Sequence, residues 1–144
     1  MWADTVFTLE YHHLMRLMIW GASCAVAGTL ALVWCVRKSV DAPLVRAFAV
    51  TCLAGGAVTV VAALTGWRGL ALRDFAGLQQ LLGRLWLVTG ITVGVMASAV
   101  AIMWLALRHQ ARPKVMGAGL SVFVQALALM VIHIGLIAAI GPVQ

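Results

Sequence analysis

Charged residues are scarce in this sequence. Lys, Arg, Asp and Glu make up 10% of its 144 residues, and 64% are hydrophobic, whereas an ordinary soluble domain is about a quarter charged and roughly half apolar. A chain this short has a large surface to cover with polar groups, and so few charges cannot cover it. The excess apolar surface requires lipid, which excludes soluble enzymes, disulfide-rich secreted domains and disordered tails.

Acidic residues are rarer still, with four Asp and Glu against ten Lys and Arg. None of the four lies within a long apolar stretch, so no carboxylate can line a charged ion path through the membrane. Proline, which often breaks transporter helices, is absent from the apolar stretches at residues 47–67 and 85–107. A transporter or channel is therefore disfavoured, and no Ser-His-Asp arrangement suggests a hydrolase.

Cysteine is also infrequent. Cys24, Cys35 and Cys52 lie in apolar stretches and form no CxxC pair. We expect them to be small buried hydrophobic residues rather than redox groups. A zinc ion is also disfavoured, because no cluster of Cys or carboxylate ligands could complete a tetrahedral site.

The net charge of +6 does not indicate nucleic-acid binding. The basic residues form short clusters between long apolar stretches, which is how a membrane protein marks its loops. No basic stripe with interleaved aromatic residues is present. We therefore expect the lipid bilayer, and no nucleic acid, as the principal partner.

Four apolar stretches are long enough to cross a bilayer core, which needs roughly 20 residues of helix. We predict spans at about residues 14–36, 47–67, 85–107 and 115–140. No stretch alternates as a barrel strand would. The predicted fold is an all-α integral membrane protein, an antiparallel four-helix transmembrane bundle forming one domain over residues 1–144.

The loops after the first and third spans hold more Lys and Arg than the other side. They hold six (Arg37, Lys38, Arg46, Arg108, Arg112 and Lys114) against four (Arg16, Arg68, Arg73 and Arg84). The positive-inside rule then places those two loops in the cytoplasm and both termini outside the inner membrane, in the periplasm. Between spans 2 and 3, apolar residues at helical spacing predict a short interfacial helix on the outer leaflet. An early start of span 3 is the alternative.

Small residues recur in the spans at spacings that allow helices to approach closely. Span 3 contains Gly90, Gly94 and Ser98, each four residues from the next, and span 1 contains Gly21 and Gly28. Such patterns favour packing within one bundle or a homodimer interface. We expect packing within the bundle and keep a homo-oligomer, or docking to other membrane subunits, as the alternative.

A polar layer is expected at the outer edge of the membrane. With a helical rise of about 1.5 Å per residue, counting from the cytoplasmic ends brings five polar side chains of three spans to one level: His12, His13, Arg16, Arg84 and His133. His133 lies between two isoleucines within an apolar span, where a polar residue usually has a partner in the bundle. That partner is a neighbouring helix, a metal or haem, or a proton-relay or quinone ligand. His109, in the third loop, is expected to be solvated.

Haem b is the cofactor that best suits this layer. His13 (or His12) and His133 would be the axial ligands, and Arg16, Arg68 or Arg84 would pair with the propionates. Copper is the alternative metal, bound by His13 and His133, since imidazole suits it and thioethers of Met15 and Met18 are close in sequence.

Three short segments resemble a known superfamily. They are residues 13–21 (HLMRLMIWG), 64–67 (LTGW) and 82–87 (LGRLWL). This pattern is similar to the superfamily of small membrane proteins that includes the copper-resistance D-type domain and the bacterial membrane protoporphyrinogen oxidase. The resemblance covers roughly residues 12–107 and implies haem or copper handling, with His13 and Arg84 at the family's positions.

Two departures from that family weaken the oxidase interpretation more than simple haem binding. The family's basic residue is usually Lys, and Arg84 is a poorer proton donor or acceptor. Span 4 does not match the oxidase's other polar positions. The sequence thus predicts a redox or electron-transfer bundle with haem b or copper near the outer face. The alternatives are an accessory subunit without its own cofactor and, third, a transporter or channel.

Overall fold

The computed structural model describes residues 2–38, 42–108 and 112–141, and the regular elements within these ranges are helices. The four long helices are α1 (Trp2–Arg37), α2 (Pro43–Arg68), α3 (Phe75–Arg108) and α4 (Pro113–Ile140). Each is long and apolar enough to cross a membrane. The prediction of an all-α, four-helix membrane bundle is confirmed, and the chain is a multi-pass membrane protein in contact with lipid.

Proline and glycine set several helix ends. Pro43 and Pro113 occupy the start of α2 and α4, where the ring's fixed φ suits the helix and the missing N–H costs nothing. After α2, the Gly69 N–H donates to the Gly66 carbonyl at 3.0 Å. The helices are longer than the predicted spans, because α1 begins at Trp2 and α3 at Phe75.

The prediction of a separate interfacial helix between spans 2 and 3 is wrong. Residues 70–74 are not helical, and α3 runs without interruption from Phe75 into the span. Asp74 starts it, since its carboxylate accepts the Gly77 N–H at 2.8 Å. Leu78 and Leu85 are buried on the same side of the helix, so this face packs on protein instead of lying on the lipid surface. The alternative, an early start of span 3, is confirmed.

Helix α4 is the centre of the bundle and contacts each of the other three. Consecutive helices run antiparallel, α1 also packs on α2, and α3 packs mainly on α4. Helices α2 and α4 are neighbours. They run in the same direction, because α3 returns the chain across the bundle between them. This central position suits α4, which is free of Lys, Arg, Asp and Glu after Lys114.

Glycine brings α1 and α2 into backbone contact. A Cβ added to Gly56 would lie 2.6 Å from the Gly21 carbonyl oxygen, and one added to Gly28 would lie 2.6 Å from the Ala49 oxygen. Real Cβ atoms do not approach other atoms so closely, so only glycine fits at these crossings. Cys52 lies in the same interface, and its thiol donates to the Cys24 carbonyl at 3.4 Å. The three cysteines are buried and free, as predicted.

The small residues of α3 behave differently. Cβ atoms added to Gly90 and Gly94 would meet no atom within 4 Å, so this part of the stripe does not pack within the chain. The expectation that it does is wrong. The reason is that α3 packs on α4 through another face, on which Met103 lies against Gly119.

Candidate functional site

Two histidines meet where α1 and α4 cross, near the end of the bundle at which α1 begins and α4 ends. The imidazole rings of His13 and His133 are 5.2 Å apart between centroids and inclined at 60°, an edge-to-face arrangement. Both residues are about 93% buried, with 6% and 7% of their surface exposed. The structure therefore brings together the pair that the sequence singled out, and it selects His13 over His12.

The hydrogen bonds of these rings define which nitrogens are free. The Nδ1 atom of His133 lies 2.6 Å from the Leu129 carbonyl oxygen. A carbonyl can only accept, so Nδ1 carries the proton and the Nε2 atom of the neutral ring keeps its lone pair. The Nδ1 atom of His13 is buried and has no hydrogen-bond partner among the described residues. A buried nitrogen without a partner costs about 1–3 kcal/mol, so this atom is a natural place for a ligand.

Apolar side chains enclose the pair on the membrane side. Leu14, Leu17 and Ala63 form a buried cluster, against which Met18 and Ile132 pack, among others. His13 also interacts with the backbone of Ile132 on α4. Burial of the pair among apolar side chains strengthens any electrostatic or metal–ligand interaction within the site. The Met18 thioether belongs to the same cluster.

Gly66 gives this cluster its room. A Cβ added there would lie 2.7 Å from a methyl carbon of Leu14, the residue next to His13. The glycine of the short LTGW segment thus lets the Leu14 side chain pack closely on α2 beside the histidine, and a larger residue would require the end of that side chain to move.

An ion pair lies one helical turn before His13, toward the start of α1. The Arg73 Nε and Nη2 atoms donate to the two carboxylate oxygens of Glu10, at 2.8 and 2.6 Å. Glu10 precedes His13 by one turn of α1, and it is buried with 6% of its surface exposed. The hydrogen bonds to Glu10 raise the pKa of the Arg73 guanidinium above its ordinary value. This bidentate pair ties the segment before α3 to α1.

This ion pair was not predicted from the sequence. Its available signal was the register of Glu10, which lies on the same helical face as Val6, His13 and Leu17. That face is buried along this part of α1. A lone carboxylate on a buried face needs a basic partner, but the sequence alone could not choose Arg73 among the arginines of the outer side.

The other predicted site residues lie outside the buried histidine pair and are exposed. His12 is exposed and its ring packs on Tyr11, 5.8 Å between centroids. Arg16 is exposed, with its charge near enough to interact with His13. Arg84 is exposed on α3, and no described contact joins it to the histidines. Its participation stays a prediction, and His109 lies outside the described residues.

The residues fit the two candidate cofactors unequally. Two imidazoles on opposite sides of one haem iron would have ring centres roughly 6 Å apart with a porphyrin between them. Rings in edge contact at 5.2 Å leave no space for that macrocycle, so bis-histidine haem ligation does not fit this arrangement. The same distance is compatible with two nitrogens, each about 2 Å from one ion, in a bent arrangement. Within the described ranges no group of three or more His, Cys, Asp or Glu could hold a metal ion.

Comparisons with protein-family models, with curated proteins and with solved structures give no significant match to this chain. The similarity to the copper-resistance D-type superfamily therefore stays a prediction from its three short segments. What the site can do is inferred from its own residues.

Proposed function

We propose that this membrane protein binds a single copper(I) ion between His13 and His133, near the outer face of the membrane. The observation that carries the proposal is the pair of buried imidazoles from two helices, with one buried nitrogen that has no partner. Copper bound there would supply one-electron redox chemistry or a transfer point for the ion itself.

Each residue of the site has a defined part in this proposal. The Leu129 carbonyl holds the His133 ring through its Nδ1 proton, the arrangement in which a second-layer carbonyl fixes a metal-binding imidazole and increases its basicity. The Nδ1 atom of His13 offers the second lone pair. Met18, in the adjoining cluster, offers a thioether, a soft ligand that favours copper(I) over harder ions. The Glu10–Arg73 pair limits access of water from outside.

Competition for copper tests the proposal. Purified protein in detergent is titrated with copper(I) in the presence of a chromogenic copper(I) chelator, and His133→Gln is compared with His12→Gln as the matched exposed control. We expect one equivalent bound by the native chain and by the control. We expect at least a tenfold weaker affinity for His133→Gln and for His13→Gln, the scale at which one ligand's loss exceeds about 1.4 kcal/mol.

Copper binding that is unchanged in both buried variants would overturn the proposal. Haem is examined in the same preparation, by adding haem b and recording the visible spectrum. A Soret band that disappears in His133→Gln would favour haem as the cofactor and would require the two helices to separate from the arrangement described here.

We also propose that both termini, and with them the histidine pair, face the periplasm across the inner membrane. The support is the bias of Lys and Arg toward the loops after α1 and α3. A reporter enzyme that is active only outside the cytoplasm, fused after Gln144, should then be active. The same reporter inserted after Lys38 should be silent.

Assembly through α3 is a second candidate function, as a subunit of an oligomer or larger membrane complex. The specific observation is that Cβ atoms added to Gly90 and Gly94 would meet no atom within 4 Å, although such spacing permits close helix contact. Gly94→Leu should then convert an oligomer to a monomer in detergent, while Gly83→Leu, also on an open face of α3, should not. A native chain that is monomeric in membranes would exclude the homo-oligomer.

A further inference from the structure

A cleft opens between the first turns of α2 and α4, at the end of the bundle away from the histidines. Its volume is about 450 Å³. Arg46 and Lys114 lie toward its mouth, and the residues deeper along the two helices are Ala47, Val50, Thr51 and Ala118. The cleft is therefore cationic at the membrane surface and apolar beneath it.

The positive charge of the cleft has no counter-charge in the described residues. Arg46 and Lys114 are exposed, and neither forms an ion pair there. The described acids, which are Asp4, Glu10 and Asp74, belong to the opposite end of the bundle. An anionic group placed at the mouth of the cleft would be attracted by both basic side chains.

The helix axes add to this field. Because α2 and α4 run in the same direction, their N-termini lie side by side at the cleft, and the positive ends of both dipoles point to it. The N-cap residues Ala42 and Arg112 make no side-chain hydrogen bond to the helix ends. Neither first turn contains an acidic residue. This contribution strengthens the attraction that the two basic side chains already provide.

The floor of the cleft is suited to hydrocarbon. Thr51 directs its hydroxyl to the Ala47 and Phe48 carbonyls, at 2.7 and 3.0 Å, so that it satisfies its polar group within its own helix. Thr51 also lines a second, mostly apolar groove of about 340 Å³ that lies between α2, α3 and α4 and includes Ala54, Val58 and Leu129. Gln125 also lines this groove, and its amide is hydrogen-bonded to Ser121 and to the Thr51 carbonyl. From Arg46 to Val58 the helix rises about 18 Å. One leaflet of the hydrocarbon core is about 15 Å thick.

We propose that this cleft and groove bind one anionic phospholipid, with its phosphate between Arg46 and Lys114 and an acyl chain along α2 and α4. The charges select an anionic headgroup, and the apolar length matches a single leaflet. Free phosphate would interact with the two basic residues but would leave the apolar groove unfilled. A zwitterionic lipid would fill the groove but carries a cation that Arg46 and Lys114 repel.

Native mass spectrometry of the full chain in detergent micelles tests the proposal. The probes are phosphatidylglycerol, phosphatidylcholine with the same acyl chains, and inorganic phosphate as competitor. We expect phosphatidylglycerol to be retained at least tenfold more than phosphatidylcholine. The double variant Arg46→Gln/Lys114→Gln should remove that preference, whereas Arg37→Gln, an exposed basic residue in the last turn of α1, should change it less than twofold.

A second variant distinguishes binding of the lipid headgroup from binding of its acyl chain. Ala54→Trp fills the groove without changing charge and should reduce retention of phosphatidylglycerol at least threefold. Equal retention of the two lipids, or unchanged selectivity in the double variant, would overturn the proposal. Complete displacement of the lipid by millimolar phosphate would identify a free anion as the ligand and would overturn it too. An ineffective Ala54→Trp would refute the acyl groove.

Discussion

The crossing of α1 and α2 at Gly56 makes a quantitative prediction about stability. In Gly56→Ala the new methyl group would lie 2.6 Å from the Gly21 carbonyl oxygen, 2.7 Å from the Ala25 nitrogen and 3.0 Å from the Cys24 Cβ. Two of the three neighbours are backbone atoms, which no rotamer change can move. The helices must therefore separate by several tenths of an ångström to restore ordinary van der Waals distances.

That separation is costly because helix pairs in lipid are held by close packing rather than by a hydrophobic force between them. A radial gap of about 0.5–1 Å already forfeits a quarter to a half of each dispersion contact. Overpacking of this kind typically costs about 1–3 kcal/mol. We expect Gly56→Ala to lower the free energy of unfolding by that amount.

Denaturation in mixed detergent micelles, followed by tryptophan fluorescence and circular dichroism, measures this effect. Gly90→Ala is the matched control: its added Cβ meets no atom within 4 Å, and alanine is about 0.5–1 kcal/mol more favourable than glycine within a helix, so this variant should not lower the free energy of unfolding. If Gly56→Ala and Gly90→Ala are equally stable, the close approach of α1 and α2 is not what holds this part of the bundle, and the reasoning fails.

Two further predictions use the same assay. Glu10→Gln leaves Arg73 without its counter-charge and should cost about 1–3 kcal/mol; the double variant Glu10→Gln/Arg73→Gln should recover part of the loss, and strictly additive effects would show that the two residues are not coupled. Gln125→Leu removes the hydrogen bonds from its amide to the Ser121 hydroxyl (3.1 Å) and the Thr51 carbonyl (3.2 Å). It should cost about 0.5–1.5 kcal/mol, and a variant as stable as the native chain would show that these bonds add nothing.

The candidate site was partly predictable because two independent patterns agree there. Helical rise placed His13 and His133 at one level, and the apolar surroundings of His133 indicated that it faces the bundle. Level is a one-dimensional quantity that follows from counting residues. Whether Arg84 shares the site depends on the rotation of α3 about its axis, which counting does not supply, and the structure has its side chain exposed.

The surroundings of the Gly90–Gly94 stripe were also not predictable from residue counting. Its spacing is a property of one helix, but the helix that it contacts is a property of the whole arrangement. The absence of a break between Phe75 and the span likewise became visible only in three dimensions. There, buried Leu78 and Leu85 join Val6 of α1 and Leu136 and Ile140 of α4 in one cluster.

Composition and hydropathy alone determined that this chain crosses a membrane as four helices. In lipid the backbone must satisfy its own hydrogen bonds, and the four apolar stretches have the length and pattern of spanning helices. They also determined the level of the histidines. Only the tertiary structure decided that α4 is central, that His13 rather than His12 meets His133, and that Arg73 neutralises Glu10. Those outcomes depend on helix rotation and neighbour choice, which glycine contacts and side-chain packing between helices determine, and no periodicity within a single helix encodes them.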